Sequence, residues 1–386
     1  MKIVCICYED IAGYAGSNRQ VIELVKGLQE IGHQVKLTVP LIRRLNESAG
    51  LDIEYIPVIN LPFLRYLSYL IISPFYLVKI MFKFKPDAVF VFQIYFDIGS
   101  LLACKFLRLP LAFYANGIAS DDLSQSNIPK FIVYIVELAQ KIYIKYSNKI
   151  FAITDFVKEY LREKYSIPTQ KLEVLKDAVN IEYFKPMDRD AARGILGLGR
   201  DTNLVGFLGS LYPWHGVDYL IDSMPLVLKE VPNTKFIIVG DGPMAKALIN
   251  QTKKSGLEGK IIFIGSVPFD QAPVYINAFD ICIVFFKEVR KNAGDSIKLY
   301  EYLACNKPIV TSKRDGYGDV VERIGSGIAV DASNPYETSQ AILHLLNNAE
   351  LRAQMGSKGR AAIIKEHTWL NRARLIEGSL RGIINS

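Results

Sequence analysis

The segment Asn292-Ala293-Gly294-Asp295-Ser296-Ile297-Lys298-Leu299-Tyr300-Glu301-Tyr302-Leu303-Ala304 carries the residue types best suited to chemistry. It follows an apolar, strand-like run, Ile281–Phe285, and then turns to a helical pattern. At such a junction the first amides of the helix lack partners within it, and the helix dipole favours negative charge there. Ser296, Ile297 and Lys298 are therefore expected to form a seat for phosphate, with Lys298 adding a cation. Glu301 falls one turn later, where a carboxylate can accept both hydroxyls of a ribose. Its apolar neighbours Leu299 and Leu303 argue against an ordinary solvated glutamate.

Four further loops follow apolar runs. Gly13-Tyr14-Ala15-Gly16 opens a helix, and exposed amides beside Gly16 suit an anion, but the third glycine of a dinucleotide fingerprint is missing. A tight turn explains the same residues. Ser17 with Gln20 reads as a capping box for the helix that follows. Val239-Gly240-Asp241-Gly242-Pro243 is a sharp turn into a helix with proline at its first position, and Ile264-Gly265-Ser266-Val267 ends another strand. Gly209-Ser210-Leu211-Tyr212-Pro213-Trp214-His215-Gly216 places His215 at a helix start, where it either reaches a phosphate or simply caps the turn.

The elements that must position these loops alternate. Ile3–Ile6, Val35–Val39, Asp87–Phe92, Leu111–Tyr114 and Ile150–Ile153 read as strands, separated by helical segments such as Asp97–Leu107 and Lys130–Tyr146. Asn180–Pro186 breaks the rhythm as a linker, after which Leu204–Leu208, Phe236–Val239, Ile261–Ile264, Ile281–Phe285, Ile309–Val310 and Ile328–Val330 resume it, with a helix over Val217–Val231. Unbroken apolar strands between helices mean parallel sheets covered on both faces. At 386 residues the chain exceeds one ordinary core. The expected architecture is α/β, two Rossmann-like doubly wound domains facing across a cleft, with ligands beyond the carboxyl ends of the strands.

Composition narrows the partners. A net charge of +7 favours anions, yet lysine and arginine form no basic tract, so nucleic acid is not expected. The five cysteines lack paired metal-ligand spacing and read as buried thiols of a reducing, cytoplasmic compartment, and no metal site is expected. The amino terminus does not read as a secretory signal. Leu61–Phe84 is apolar, but only 13 uncharged residues separate Arg65 from Lys79, and Pro74 lies among them. A bilayer span takes about 20 apolar residues, so the stretch reads as core or as an interfacial surface. With Arg43, Arg44, Arg65 and Lys79 nearby, peripheral contact with an anionic membrane at the inner face of the plasma membrane fits it.

Taken in order, these loops resemble the retaining glycosyltransferases of family 4, which have the GT-B fold. Gly32-His33-Gln34-Val35 is similar to the family's entry to its second strand, and Asp177-Ala178-Val179-Asn180 with Phe184-Lys185-Pro186 to its interdomain linker. Gly209-Ser210-Leu211, His215-Gly216-Val217 and Val239-Gly240-Asp241-Gly242-Pro243 resemble its second-domain loops, and Tyr300–Val310 its most diagnostic helix–turn–strand. His367-Thr368-Trp369 would open a last helix that crosses back to the first domain. The resemblance implies an acceptor domain over residues 1–183, a nucleotide-sugar domain over 184–366 and a crossing helix over 367–386. It implies that Glu301 holds the donor ribose, amides near Ile297 and Lys298 the diphosphate, and the loop at Val267 the base. Ser210, His215, Gly240, Asp241, Gly242 and Gly16 complete the expected donor site, with no cofactor beyond the nucleotide sugar itself.

Three departures from the family pattern stand out. The first of its two glutamates falls on Ala293, and Asp295 is either its replacement or a helix cap. Its phosphate-clamping Arg and Lys fall on Ser210 and His215, for which Lys298 and Arg19 are the available compensation. A first-domain histidine is Asn116, which cannot act as a base. Retaining chemistry tolerates that loss, because the departing diphosphate can take the acceptor's proton. The acceptor expected is a glycan or lipid-linked molecule, in cell-surface polysaccharide or glycoconjugate synthesis. A non-catalytic nucleotide-sugar-binding subunit and a nucleotide-sugar epimerase using Glu301, Asp295 and Asp121 are the alternatives. A nicotinamide oxidoreductase fits least.

Overall fold

The computed structural model describes every residue except 9, 13–15, 46–49, 93–96, 119–128, 288–294, 314–316 and 386, and only the backbone of 16–18, 62 and 63. Gly13, Tyr14, Ala15, Asp121 and Ala293 therefore lie outside the described residues. The chain forms two compact units, Met1–Ala178 with Trp369–Ser386, and Val179–Thr368.

The first unit runs β1 (Lys2–Ile6), α1 (Gly16–Glu30), β2 (Gln34–Pro40), β3 (Asp52–Ile56), α2 (Pro62–Phe84), β4 (Ala88–Phe92), α3 (Gly99–Leu107), β5 (Leu111–Ala115), α4 (Lys130–Tyr146), β6 (Lys149–Ala152), α5 (Asp155–Tyr165) and β7 (Leu172–Val174). Its sheet is parallel in the order β3-β2-β1-β4-β5-β6-β7. Two strands escape a periodicity reading. β3 is half-buried and polar at alternate positions, and β7 has only three residues. The crossovers from β3 to β7 all advance in one direction, so right-handed connections put α2, α3, α4 and α5 on the same face. α1 begins at Gly16, one residue ahead of the cap expected at Ser17.

α2 is one unbroken helix. Pro74 sits inside it and nests against Gly99, where a Cβ would stand 2.7 Å from the proline ring. The proline thus packs against α3 without ending the helix.

The second unit runs α6 (Arg189–Leu196), β8 (Asn203–Leu208), α7 (Val217–Glu230), β9 (Thr234–Val239), α8 (Ala245–Lys254), β10 (Ile261–Gly265), α9 (Ala272–Ala278), β11 (Ile281–Val284), α10 (Ile297–Ala304), β12 (Ile309–Ser312), α11 (Tyr317–Ile324), β13 (Gly327–Val330), α12 (Pro335–Leu346) and α13 (Ala349–Glu366). Its parallel sheet is ordered β10-β9-β8-β11-β12-β13. Asn180–Pro186 is built into this unit and does not hang free. Phe184 is buried in its core, Tyr183 stacks on Phe269 at 5.0 Å, and Val179 pairs with Thr368, its N–H donating to the His367 carbonyl. The last helix, α14 (Trp369–Ile384), packs on α1 in the first unit, close enough that a Cβ on Gly27 would stand 2.9 Å from the Trp369 carbonyl.

Aliphatic and aromatic side chains of the strands fill both sheets' interiors. All five cysteines are buried as free thiols; burial pushes the thiol of Cys5 up to about 12, and burial with the nearby Asp97 charge does the same for Cys104.

Candidate functional site

In the second sheet β8 lies between β9 and β11, and the chain order reverses there. At such a reversal the loops leaving the strands diverge, and ligands of open α/β sheets bind beyond the carboxyl ends there. α10 starts at that point. Ser296 caps it in extended conformation, and Asp295 Oδ1 accepts the Ser296 N–H at 3.0 Å. The Tyr300 hydroxyl lies 2.9 Å from both oxygens of Asp295. Asp295 is thus anchored at the helix start by the Ser296 amide and the Tyr300 hydroxyl, while the Ser296 side chain makes no cap bond to the first turn. The Ser296 amide, expected to face a phosphate, is already engaged by Asp295; those of Ile297 and Lys298 are the first-turn amides without an intrahelical acceptor.

Lys298 folds back over the end of β8. Its Nζ lies 4.9 Å from the Phe207 ring and 5.8 Å from that of Phe286, and it is buried with no hydrogen-bond partner. Two ring faces solvate an ammonium far less than water does. Burial pulls the lysine down to about 7, opposed by the charge of Glu301. Glu301 is itself only 9% exposed, and burial pushes its carboxyl up to about 7, opposed by Lys298. Such a cation is chemically primed for an incoming anion, and such a carboxylate for hydroxyl donors.

What holds α10 here escapes a motif reading. The buried Tyr302 hydroxyl donates to the Leu208 carbonyl at 3.0 Å and accepts the Leu208 N–H at 2.7 Å, which locks the helix to the last residue of β8. At the other end, Arg360 donates to the Ala304 carbonyl, where a cation complements the helix dipole. The alternation Tyr300-Glu301-Tyr302 is the sequence signal that flanks the carboxylate with two anchoring phenols.

The glycines of the neighbouring loops permit backbone to lie on backbone. A Cβ on Gly240, at φ 131°, would stand 2.0 Å from the Gly209 carbonyl oxygen, and one on Gly242 2.7 Å from that of Leu211. The Gly209 N–H donates to Val239, Leu211 to Asp241 and Met244 to Leu211, so the loops after β8 and β9 form one unit. Asp241 is exposed and accepts the Gly242 N–H at 2.7 Å. α8 starts at Ala245, so Pro243 belongs to the turn and not to the first helical position.

Ser210 is exposed, and its carbonyl lies 2.5 Å from His215 Nδ1. A carbonyl can only accept, so the proton sits on Nδ1, and His215 donates to a phosphate through Nε2 only when doubly protonated. Val267 is partly buried beside the core two strands away from β8. Gly209, Ser210, His215, Asp295, Ser296, Ile297, Lys298 and Glu301 thus cluster at one switch point. Asn116, exposed after β5, and Gly16, at the start of α1, belong to the first unit, where Arg19 is paired with Glu23 at 2.9 Å.

Comparisons with known proteins bear on the family and the fold. The model "Glycosyl transferases group 1" matches residues 188–362, and "Glycosyltransferase Family 4" matches residues 14–183. A GDP-mannose-dependent alpha-(1-6)-phosphatidylinositol monomannoside mannosyltransferase of Mycolicibacterium smegmatis is 30% identical over 238 residues; the match spans 58% of this chain and 61% of that relative. Sucrose-phosphate synthase from Thermosynechococcus elongatus superposes with a TM-score of 0.78 at 16% identity, covering 100% of this chain and 99% of that one. Anabaena HepE, solved with UDP, gives 0.78 at 18% identity, covering 99% of this chain and 100% of its own. The chain therefore belongs to the glycosyltransferases of group 1 and family 4, with their two Rossmann-like domains of the GT-B fold.

Proposed function

We propose that this chain is a retaining glycosyltransferase that moves a sugar from a nucleotide diphosphate sugar to a glycan or lipid-linked acceptor, in cell-surface polysaccharide or glycoconjugate synthesis on the cytoplasmic side of the membrane. The carrying observation is Lys298, a buried ammonium without a partner beside the first-turn amides of α10 and one turn from a buried carboxylate. A diphosphate supplies the missing partner to Lys298, and a ribose supplies two hydroxyl donors to Glu301. The solved relative with bound UDP supports the nucleotide class. The curated mannosyltransferase, which by name uses GDP-mannose and a phosphatidylinositol glycolipid, supports a lipid-linked acceptor.

In this reading the bond from the sugar's anomeric carbon to the diphosphate oxygen breaks, and the acceptor oxygen bonds to that carbon from the same face. The acceptor's proton passes to the departing diphosphate, so Asn116 is not asked to act as a base. Lys298 and the amides of Ile297 and Lys298 stabilise charge that grows on the leaving phosphate, where preorganised donors act most strongly. Their cationic and amide character lets them do so with no metal ion. Metal independence is checked by turnover in excess EDTA, which should equal that without chelator.

The decisive experiment is donor consumption with and without glycan acceptors, after a thermal-shift screen of uridine, guanosine and adenosine diphosphate sugars. Stabilisation by one donor together with its slow hydrolysis supports the transferase. Stabilisation with no turnover under any condition would favour a nucleotide-sugar-binding subunit.

A further inference from the structure

The helical face formed by α2, α3 and α4 is apolar on its outside as well as its inside. In α2, Leu64, Leu67, Ile71 and Phe75 recur at three- and four-residue steps, Phe82 follows two turns later, and all are exposed. Phe75 and Phe82 expose 75% and 73% of their surface, and Phe106 on α3 exposes 76%. Phe131 and Tyr134 continue the pattern on α4. These stripes lie side by side. α3 holds Pro74 of α2 against Gly99, and α3 meets α4 through Ser100 with Tyr143 and through Lys105, whose ammonium sits 3.2 Å above the Tyr146 ring. Single exposed apolar residues are ordinary; adjacent aromatic stripes on three helices form a patch that implies an occupant.

The charges on the same helices say which occupant. Across Pro62–Phe84, Gly99–Leu107 and Lys130–Tyr146 there are seven lysines and arginines and one acid, Glu137. That glutamate is already paired with Lys164 at 2.7 Å. In the whole chain 46 basic residues face 39 acidic ones, so most of the excess lies on these three helices. Six of those seven basic residues, all lysines, are exposed, and a second copy docking through the same face would set six cations against six, which opposes self-association. An anionic bilayer meets both demands, taking aromatic rings into the headgroup boundary and cations at its surface.

α2 is long and apolar enough to cross a membrane by length and composition. Its other side holds Tyr69, Leu77 and Met81 in the core of the first unit, so a crossing would strip that core. Lying in the interface keeps it intact.

We propose that the α2–α3–α4 face docks on an anionic membrane surface, with Phe75, Phe82 and Phe106 entering the headgroup boundary. This deepens the reading of a membrane-linked acceptor and rests on it only for its purpose, because docking needs neither donor nor transfer. The test is sedimentation of the full chain with phosphatidylcholine vesicles, with and without phosphatidylglycerol, in the absence of nucleotide. The wild type should sediment with the anionic vesicles, less so at high salt. The double substitution Phe75→Ser with Phe106→Ser should weaken sedimentation by about tenfold or more, with an unchanged circular dichroism spectrum. As both side chains are exposed, the fold should tolerate their loss. A Phe106→Trp variant should shift its emission to the blue on adding the same vesicles. A wild type that stays in the supernatant, a double variant that binds as well as wild type, an unshifted Phe106→Trp, or a wild-type dimer that the double variant splits would each overturn the proposal. Nucleotide-sugar turnover is read separately, so loss of transfer with intact docking would strike only the function proposed above.

Discussion

Donor binding should be tightest near pH 7 and weaken on both sides, because two buried groups must each be charged for it. Burial holds Lys298 down and Glu301 up, both to about 7 in the donor-free protein. A fall from 10.5 to about 7 for the lysine corresponds to roughly 5 kcal/mol against its ammonium. A bound diphosphate supplies the counter-charge, so above pH 7 binding must draw a proton onto Lys298. Below pH 7 the hydroxyls of a ribose favour ionised Glu301, so binding must release one. The signs are therefore opposite on the two limbs, and affinity should fall by up to about tenfold per pH unit on each. At pH 8.5 about 3% of the lysine is charged before binding, which predicts a dissociation constant about 30-fold above that of the fully charged form. Titration calorimetry with UDP-glucose, in paired buffers of different ionisation enthalpy, measures both affinity and protons exchanged. The sugar diphosphate has no monoester ionisation near neutrality to confuse the count. Lys298→Met should remove the alkaline limb, and Glu301→Gln the acidic limb. A flat profile between pH 5.5 and 8.5, or an alkaline limb that survives Lys298→Met, would refute the reasoning.

Other consequences are simpler to test. Glu301→Ala should lower donor turnover by about a hundredfold or more in a folded protein, while Asn116→Ala should change it by less than about threefold; equal turnover of Glu301→Ala and wild type would remove the ribose assignment. Gly240→Ala should destabilise the chain by about 2 kcal/mol or more, read as a lower melting temperature, since its Cβ would meet the Gly209 carbonyl at 2.0 Å with φ at 131°. Tyr302→Phe leaves the Leu208 N–H and carbonyl without their phenol partner, which should cost about 1–3 kcal/mol in chemical denaturation and weaken nucleotide binding.

Local pattern carried most of the fold. Apolar runs alternating with helical periods placed eleven strands within a residue or two of Lys2–Ile6 through Gly327–Val330. They missed β3, which is half-buried with polar Asp52 and Glu54, and β7, which is too short to show a period. Amides at a strand-to-helix junction made the start of α10 legible, and Glu301 with it, because both follow from residue order along one segment.

The sequence alone thus determined two alternating α/β halves and the strand-to-helix junction at which α10 begins. Only the tertiary structure decided the electrostatic state of that junction. Lys298 is a charged residue in the sequence. It becomes a desolvated, partnerless cation because Phe207, about ninety positions earlier, and Phe286 are brought against it. Likewise Tyr302 reaches back to Leu208 through both its hydrogen bonds. Desolvation and hydrogen-bond choice depend on which distant surfaces meet, and residue spacing along one segment does not encode that.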